Sequence, residues 1–141
     1  MNNKNTDDLG QELMESPSLD KFLSENRENF NTDEAIVFLN TLFERKEISK
    51  AALAKHASIS EIYLHQIFSG KRNPSRNRLI CICYGLDATL EETQELLKLF
   101  GSAQLYPKYC RDAIIIYGIL HGISLLEIND KLFQENEETL F

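Results

Sequence analysis

The 141-residue chain has little of what marks several protein classes. Cysteine is scarce: Cys81, Cys83 and Cys110 are an odd number without metal-type spacing. That usage argues against a disulfide framework and for a reducing compartment. Long hydrophobic runs are missing. The most apolar stretch, Ala113 to Ser124, falls short of the roughly 20 residues that cross a bilayer. Met1 to Asp8 is polar and has neither a basic start nor an apolar stretch. No secretory signal is therefore expected, and a cytoplasmic location is. Alternation of apolar and polar residues, the signature of a half-buried strand, is absent. So are a glycine loop that cradles phosphate and a nucleophile elbow. A membrane protein, a disulfide scaffold and a large multidomain enzyme are all disfavoured.

What is present is an uneven charge distribution. The net charge is −7, which by itself argues against a polyanionic partner. Residues 1–44 carry −7, residues 45–78 carry +6, and residues 79–141 carry −6. The middle block holds Arg45, Lys46, Lys50, Lys55, Lys71, Arg72, Arg76 and Arg78 against Glu47 and Glu61 only. A compact basic block set between acidic flanks is an electrostatic footprint for nucleic acid. The same pattern also describes a solvated basic helix face.

Apolar residues recur at helical spacing throughout, which predicts an all-α fold of about eight helices. Residues 1–16 read as polar and mobile. Ser18 to Asn29 reads as a short helix with Leu19, Phe22 and Leu23 on one face. Asp33 is a cap for a helix to Lys46. Ser49 caps Lys50 to Ala57, and Ser60 starts a helix through Phe68 that stops at Ser69-Gly70. Asn73-Pro74-Ser75 is a turn that opens a helix to Tyr84, ended by Gly85. Thr89 with Glu92 forms a capping box for a helix to Phe100, and Ser124 with Glu127 forms another for a helix to Gln134. Pro107 suits the first turn of a helix through Leu120. Its segment Ala113 to Leu120 is apolar almost all round, as in a helix buried in its own core or against a second copy, and Gly118 allows a close approach. Glu135 to Phe141 reads as a frayed acidic tail. The segments divide into residues 1–31 with one short helix, residues 32–101, and residues 102–141 with a helical pair and tail.

The informative stretch is Lys50 to Gly70, KAALAKHASISEIYLHQIFSG. Two short helices joined by a tight turn make a helix-turn-helix, whose second helix fits a DNA major groove. Leu53, Ala57, Ile59, Leu64 and Ile67 fall at inward positions, and Ala54 is small where the helices cross. Ser60, Glu61, Ile62, His65, Gln66 and Ser69 fall on the outward face of the second helix.

With Ala54, Leu64 and Ile67 at this spacing, and with the ending Ser69-Gly70-Lys71-Arg72-Asn73-Pro74-Ser75, the chain resembles the Cro/lambda-repressor-like (xenobiotic response element, XRE) family of helix-turn-helix transcriptional regulators. The resemblance covers about residues 33–100, a five-helix DNA-binding domain. QIFSGKRNPSR, LEETQELLKLFG, LYP and RDAIIIYG are similar to a bacterial subset of that family with an added C-terminal helical pair. The resemblance implies base contacts by Ser60, Glu61, Ile62, His65 and Gln66. Gln66 would pair with adenine and Ile62 would touch a thymine methyl. It implies phosphate contacts by Lys50, Lys71, Arg72, Arg76 and Arg78, and a homodimer on double-stranded DNA half-sites.

Three positions depart from the family. Ser58 stands where glycine is usual, at a site that needs positive φ, and would cost about 1 kcal/mol there. Lys50 replaces a glutamine that helps to clamp phosphate. Glu61 places a carboxylate at the start of the reading helix, where its one favourable base contact is the cytosine amino group.

The remaining chemistry-bearing residues point nowhere in particular. Cys81 and Cys83, two apart on a helix, suit buried thiols rather than zinc. His56, His65 and His121 have no Asp or Ser partner at motif spacing, and Glu91 and Glu92 fit the favoured acids of a helix first turn. No cofactor, metal or enzymatic role is expected. The alternative to a DNA-binding regulator is a helix-turn-helix used as an antitoxin-like or adaptor module. Separately, the C-terminal helices are a surface for a dimer or a protein partner.

Overall fold

The computed structural model describes residues 5–25 and 32–141, with the side chains of Thr32 and Asp33 excepted. Nine helices and no strands occur among the described residues, so the fold is all-α. They are α1 (Thr6–Glu15), α2 (Leu19–Glu25), α3 (Thr32–Lys46), α4 (Lys50–His56), α5 (Glu61–Phe68), α6 (Arg76–Gly85), α7 (Leu90–Leu99), α8 (Cys110–His121) and α9 (Leu125–Gln134). No helix among the described residues is long and apolar enough to cross a membrane.

Local hydrogen bonding sets most of the boundaries. Ser49, Ser60, Ser75 and Ser124 each cap the helix that follows by accepting a backbone N–H three residues on. Thr89 and Glu92 complete one expected capping box reciprocally, whereas at α9 only the Ser124 half of the expected box forms, without a return bond from the Ser124 N–H to the Glu127 side chain. The expected cap of α3, the Asp33 side chain, lies outside the described residues, as does the expected extension of α2 to Asn29.

Three expectations are corrected. Residues 6–15 are helical rather than irregular: Asn5 caps α1 by accepting the Asp8 N–H at 2.8 Å. No residue of α1 is buried, although Leu9 and Leu13 stand one turn apart on it. Pro107 precedes rather than begins α8, which starts at Cys110, because Asp112 accepts the Tyr106 N–H at 2.9 Å and holds that stretch in a turn. The C-terminal tail is docked. Asn129 accepts the Leu140 N–H and donates to the Phe141 carbonyl, Arg111 donates to the Glu138 carbonyl at 2.7 Å, and Leu140 is buried.

One apolar core runs from Leu39 in α3 to Leu140 in the tail, so the C-terminal pair shares its interior with α3–α7. The helix enclosed on every side is α6, where Leu79, Ile80, Cys81, Ile82 and Cys83 are all buried. Both thiols are inside because α6 is surrounded, even though they point to different faces. By contrast α8, expected to be buried in its own core or against a second copy, buries within the chain only Asp112, Ile115 and Gly118, while Tyr117 and Leu120 face outward. Gly118 does mark a close approach, since a β-carbon there would collide with the Tyr84 hydroxyl and the Ile128 side chain. Tyr84 in turn donates to the Ile115 carbonyl at 2.8 Å.

Candidate nucleic-acid interface

The helix α4 ends in a Schellman motif that aims α5. Ala57 is the last right-handed residue, Ser58 takes φ +56°, and the Ile59 and Ser58 N–H groups return to the Ala54 and Lys55 carbonyls. The turn thus requires the left-handed conformation that serine adopts only at a cost of about 1 kcal/mol. Ser60 then accepts the Tyr63 N–H at 3.1 Å and starts α5. The inward residues Leu53, Ala54, Ala57, Leu64 and Ile67 are buried, and Ile59 is half-buried.

The opposite face of α5 is open. Ser60, Glu61, Ile62, His65 and Ser69 are exposed and Gln66 is half-buried. Ile62 is 74% exposed, an apolar residue alone on a polar face. Lys50, Ile62, His65, Gln66 and Lys71 line one depression of about 460 Å³, bounded by Asn40 of α3. Two expected phosphate ligands therefore flank three expected base readers.

Several of these side chains are held in place. The Arg72 Nε–H donates to Gln66 Oε1 at 2.9 Å. The Arg72 guanidinium lies 5.2 Å from the Tyr63 ring centre, and that of Arg78 lies 4.4 Å from it. One aromatic ring thus gathers two cations beside α5. Lys50 Nζ sits 5.2 Å from the Phe68 ring centre. Glu61 lies 3.3 Å from His65 Nε2, one helical turn along. This i, i+4 contact gives the carboxylate a partner on its own helix.

Arg76 stands apart from the other expected phosphate ligands. Its guanidinium donates to the Ala103 carbonyl at 2.8 Å, to the Gln104 carbonyl at 3.1 Å and to both oxygens of Asp112. Asp112 is 4% exposed. The geometry engages Arg76 within the chain, tying α6 to the loop before α8, and leaves Lys50, Lys71, Arg72 and Arg78 around α5. Sequence reasoning passed over Tyr63 and Asn40. Tyr63 directly follows Ile62, but its ring faces Arg72 and Arg78 from beyond its own helix, and that contact has no short-range signature.

No group of three or more His, Cys, Asp or Glu placed to hold a metal occurs among the described residues. Burial pushes the Cys81 thiol up to about 11 and the Cys83 thiol up to about 12, which leaves both without nucleophilic character at neutral pH. Neither a family model, nor a curated protein, nor a solved structure matches the chain.

Proposed function

We propose that the chain is a sequence-specific DNA-binding transcriptional regulator of the cytoplasm, a lambda-repressor-like five-helix domain (α3–α7) carrying a C-terminal helical pair. The helix and cap spanning residues 60–69 read the major groove. Ser60, Glu61, Ile62, His65 and Gln66 face base edges, and Lys50, Lys71, Arg72 and Arg78 hold phosphates. A homodimer on paired half-sites follows from the proposed mode of reading.

The observation that supports this most is the placement of four cations around the exposed face of α5 in a chain whose net charge is −7. Acid elsewhere repels bulk duplex and restricts contact to that face. Selection from random duplex DNA at two salt concentrations tests the reading. A common half-site motif is expected, with log affinity falling by roughly 0.9 per log unit of salt for each phosphate held. A chain carrying both Lys71→Glu and Arg72→Glu should lose the motif while keeping its helical circular dichroism. No enriched motif, or an unchanged affinity after the charge reversal, defeats the proposal.

A second reading draws support from Glu61, an exposed carboxylate at the head of the reading helix. There the same face binds another protein. Recovery of a stoichiometric basic protein, with its binding abolished by Glu61→Lys and no DNA motif enriched, selects that reading.

A further inference from the structure

The face of α8 that the core leaves open forms, with α9, a groove of about 680 Å³, a volume within the range of small-molecule sites. Its floor is apolar: Ala113 and Ile114 come from α8, Ile123 from the connection, and Ile128 from α9. Tyr117 stands at its edge, more than half exposed, with its ring tilted over His121 at 4.1 Å between ring centres.

The rim is charged, and unevenly so. Glu127 and Asp130 both line the groove, and neither carboxylate has an ion-pair partner among the described residues. The one cation on that rim, Lys131, is already paired with Glu135 at 3.0 Å. An apolar floor beneath two unpaired carboxylates and beside an aromatic ring suits an apolar body that carries a positive charge. A second copy of the chain fits poorly. Two-fold packing of this groove on itself would bring two copies of Glu127 and of Asp130 into one seam, four acids whose only rim cations, the two Lys131, are already paired with Glu135.

We propose that the α8–α9 groove is a binding site for a small amphiphilic cation, an aromatic or branched aliphatic body bearing a single amine. The body lies over Ala113, Ile114 and Ile128, and the ammonium lies between Glu127 and Asp130. The site is separate from α5 and stands whether or not α5 binds DNA.

The test uses three probes with one apolar body: phenylbutylamine, phenylbutanol and phenylbutyrate. Each is titrated into the full chain while the methyl resonances of Ile114, Ile123 and Ile128 are followed. The amine should bind most tightly and the carboxylate least, each step being about threefold to fivefold, the size of one partly exposed ion pair. Replacing both rim acids, Glu127→Gln with Asp130→Asn, should level the amine with the alcohol and leave the circular dichroism unchanged, since both side chains are exposed. Ala113→Phe fills the floor and should remove binding of all three probes. Phenylbutyrate binding as well as the amine, an amine preference that survives loss of both acids, shifts confined to methyl groups elsewhere, or no shift at millimolar amine each overturns the proposal. So does a dimer in sedimentation whose formation alone shifts the three groove methyls, for then a second copy is the occupant.

Discussion

Arg72 donates its Nε–H to the side-chain oxygen of Gln66 at 2.9 Å, and this contact fixes which end of the Gln66 amide faces outward. Arginine has no acceptor, so the amide oxygen must turn toward it and the amide nitrogen toward solvent. Purine N7, guanine O6 and thymine O4 are the acceptors that such a nitrogen can meet in a major groove. If the chain reads DNA as proposed, Gln66→Ala should relax preference at one base position by about 1–3 kcal/mol, measured by anisotropy titration against a panel of single-base variants. Arg72→Lys keeps the charge but loses the planar fork. It should blunt the same preference while leaving the salt slope nearly unchanged. An undiminished preference in Arg72→Lys would remove the positioning role.

The pair between Arg76 and buried Asp112 spans 36 positions and joins α6 to α8. Removing one partner leaves the other charge uncompensated, so Arg76→Ala should destabilise by about 3–5 kcal/mol in urea unfolding. The double replacement Arg76→Met with Asp112→Leu should recover much of that loss, because no buried charge then remains. Arg76→Ala destabilising by less than the double replacement would refute the account.

Glu92 accepts two bonds from Arg45, at 2.5 and 2.9 Å, and also receives the Thr89 N–H at 2.9 Å. The Arg45 bond foremost, with the Thr89 backbone, holds the Glu92 carboxyl down at about 2, against an ordinary value of 4.5. A carboxyl depressed by folding stabilises the folded state above its ordinary value, and that stabilisation fades as pH falls toward the folded value. Glu92→Gln should accordingly be less stable than the parent chain at neutral pH. The two stabilities should converge between about pH 4.5 and 2 in pH-dependent urea unfolding.

The cysteines should separate by burial. Cys110 is exposed while Cys81 and Cys83 are enclosed in α6. A disulfide exchange reagent should titrate one thiol in the native chain and all three after denaturation. Early reaction of Cys81 or Cys83 would mean that α6 is not the enclosed helix.

Ser58 holds φ +56° while exposed at the turn between α4 and α5. Ser58→Gly should raise stability by up to about 1 kcal/mol, offset in part by the greater freedom of glycine in the unfolded chain. Its effect on DNA affinity should be small if the aim of α5 is unchanged.

Most of the helix starts were readable in the sequence because capping is a bond between residues three apart, as at Ser49, Ser60, Ser75 and Thr89. The two short helices α4 and α5 and the exposed face of α5 were readable for the same reason, since spacing along one helix sets which side chains share a face. The helix α1 escaped because Leu9 and Leu13, one turn apart in an otherwise polar segment, are too brief a period to mark a helix, and nothing in α1 is buried. The docked tail escaped because its acidic residues, Glu135, Glu137 and Glu138, look like a solvated end. The anchors are main-chain groups bound by Arg111 and Asn129, and a carbonyl carries no residue identity.

The sequence by itself determined the all-α class, the caps and the basic block, all of which arise from short-range chemistry and composition. The tertiary structure alone decided that α6 rather than α8 is enclosed, that Arg76 turns inward to Asp112, and that Tyr63 gathers Arg72 and Arg78. The physical reason is that a charge or an apolar face has many partners within reach of its chemistry. Only the packing of distant helices selects among them.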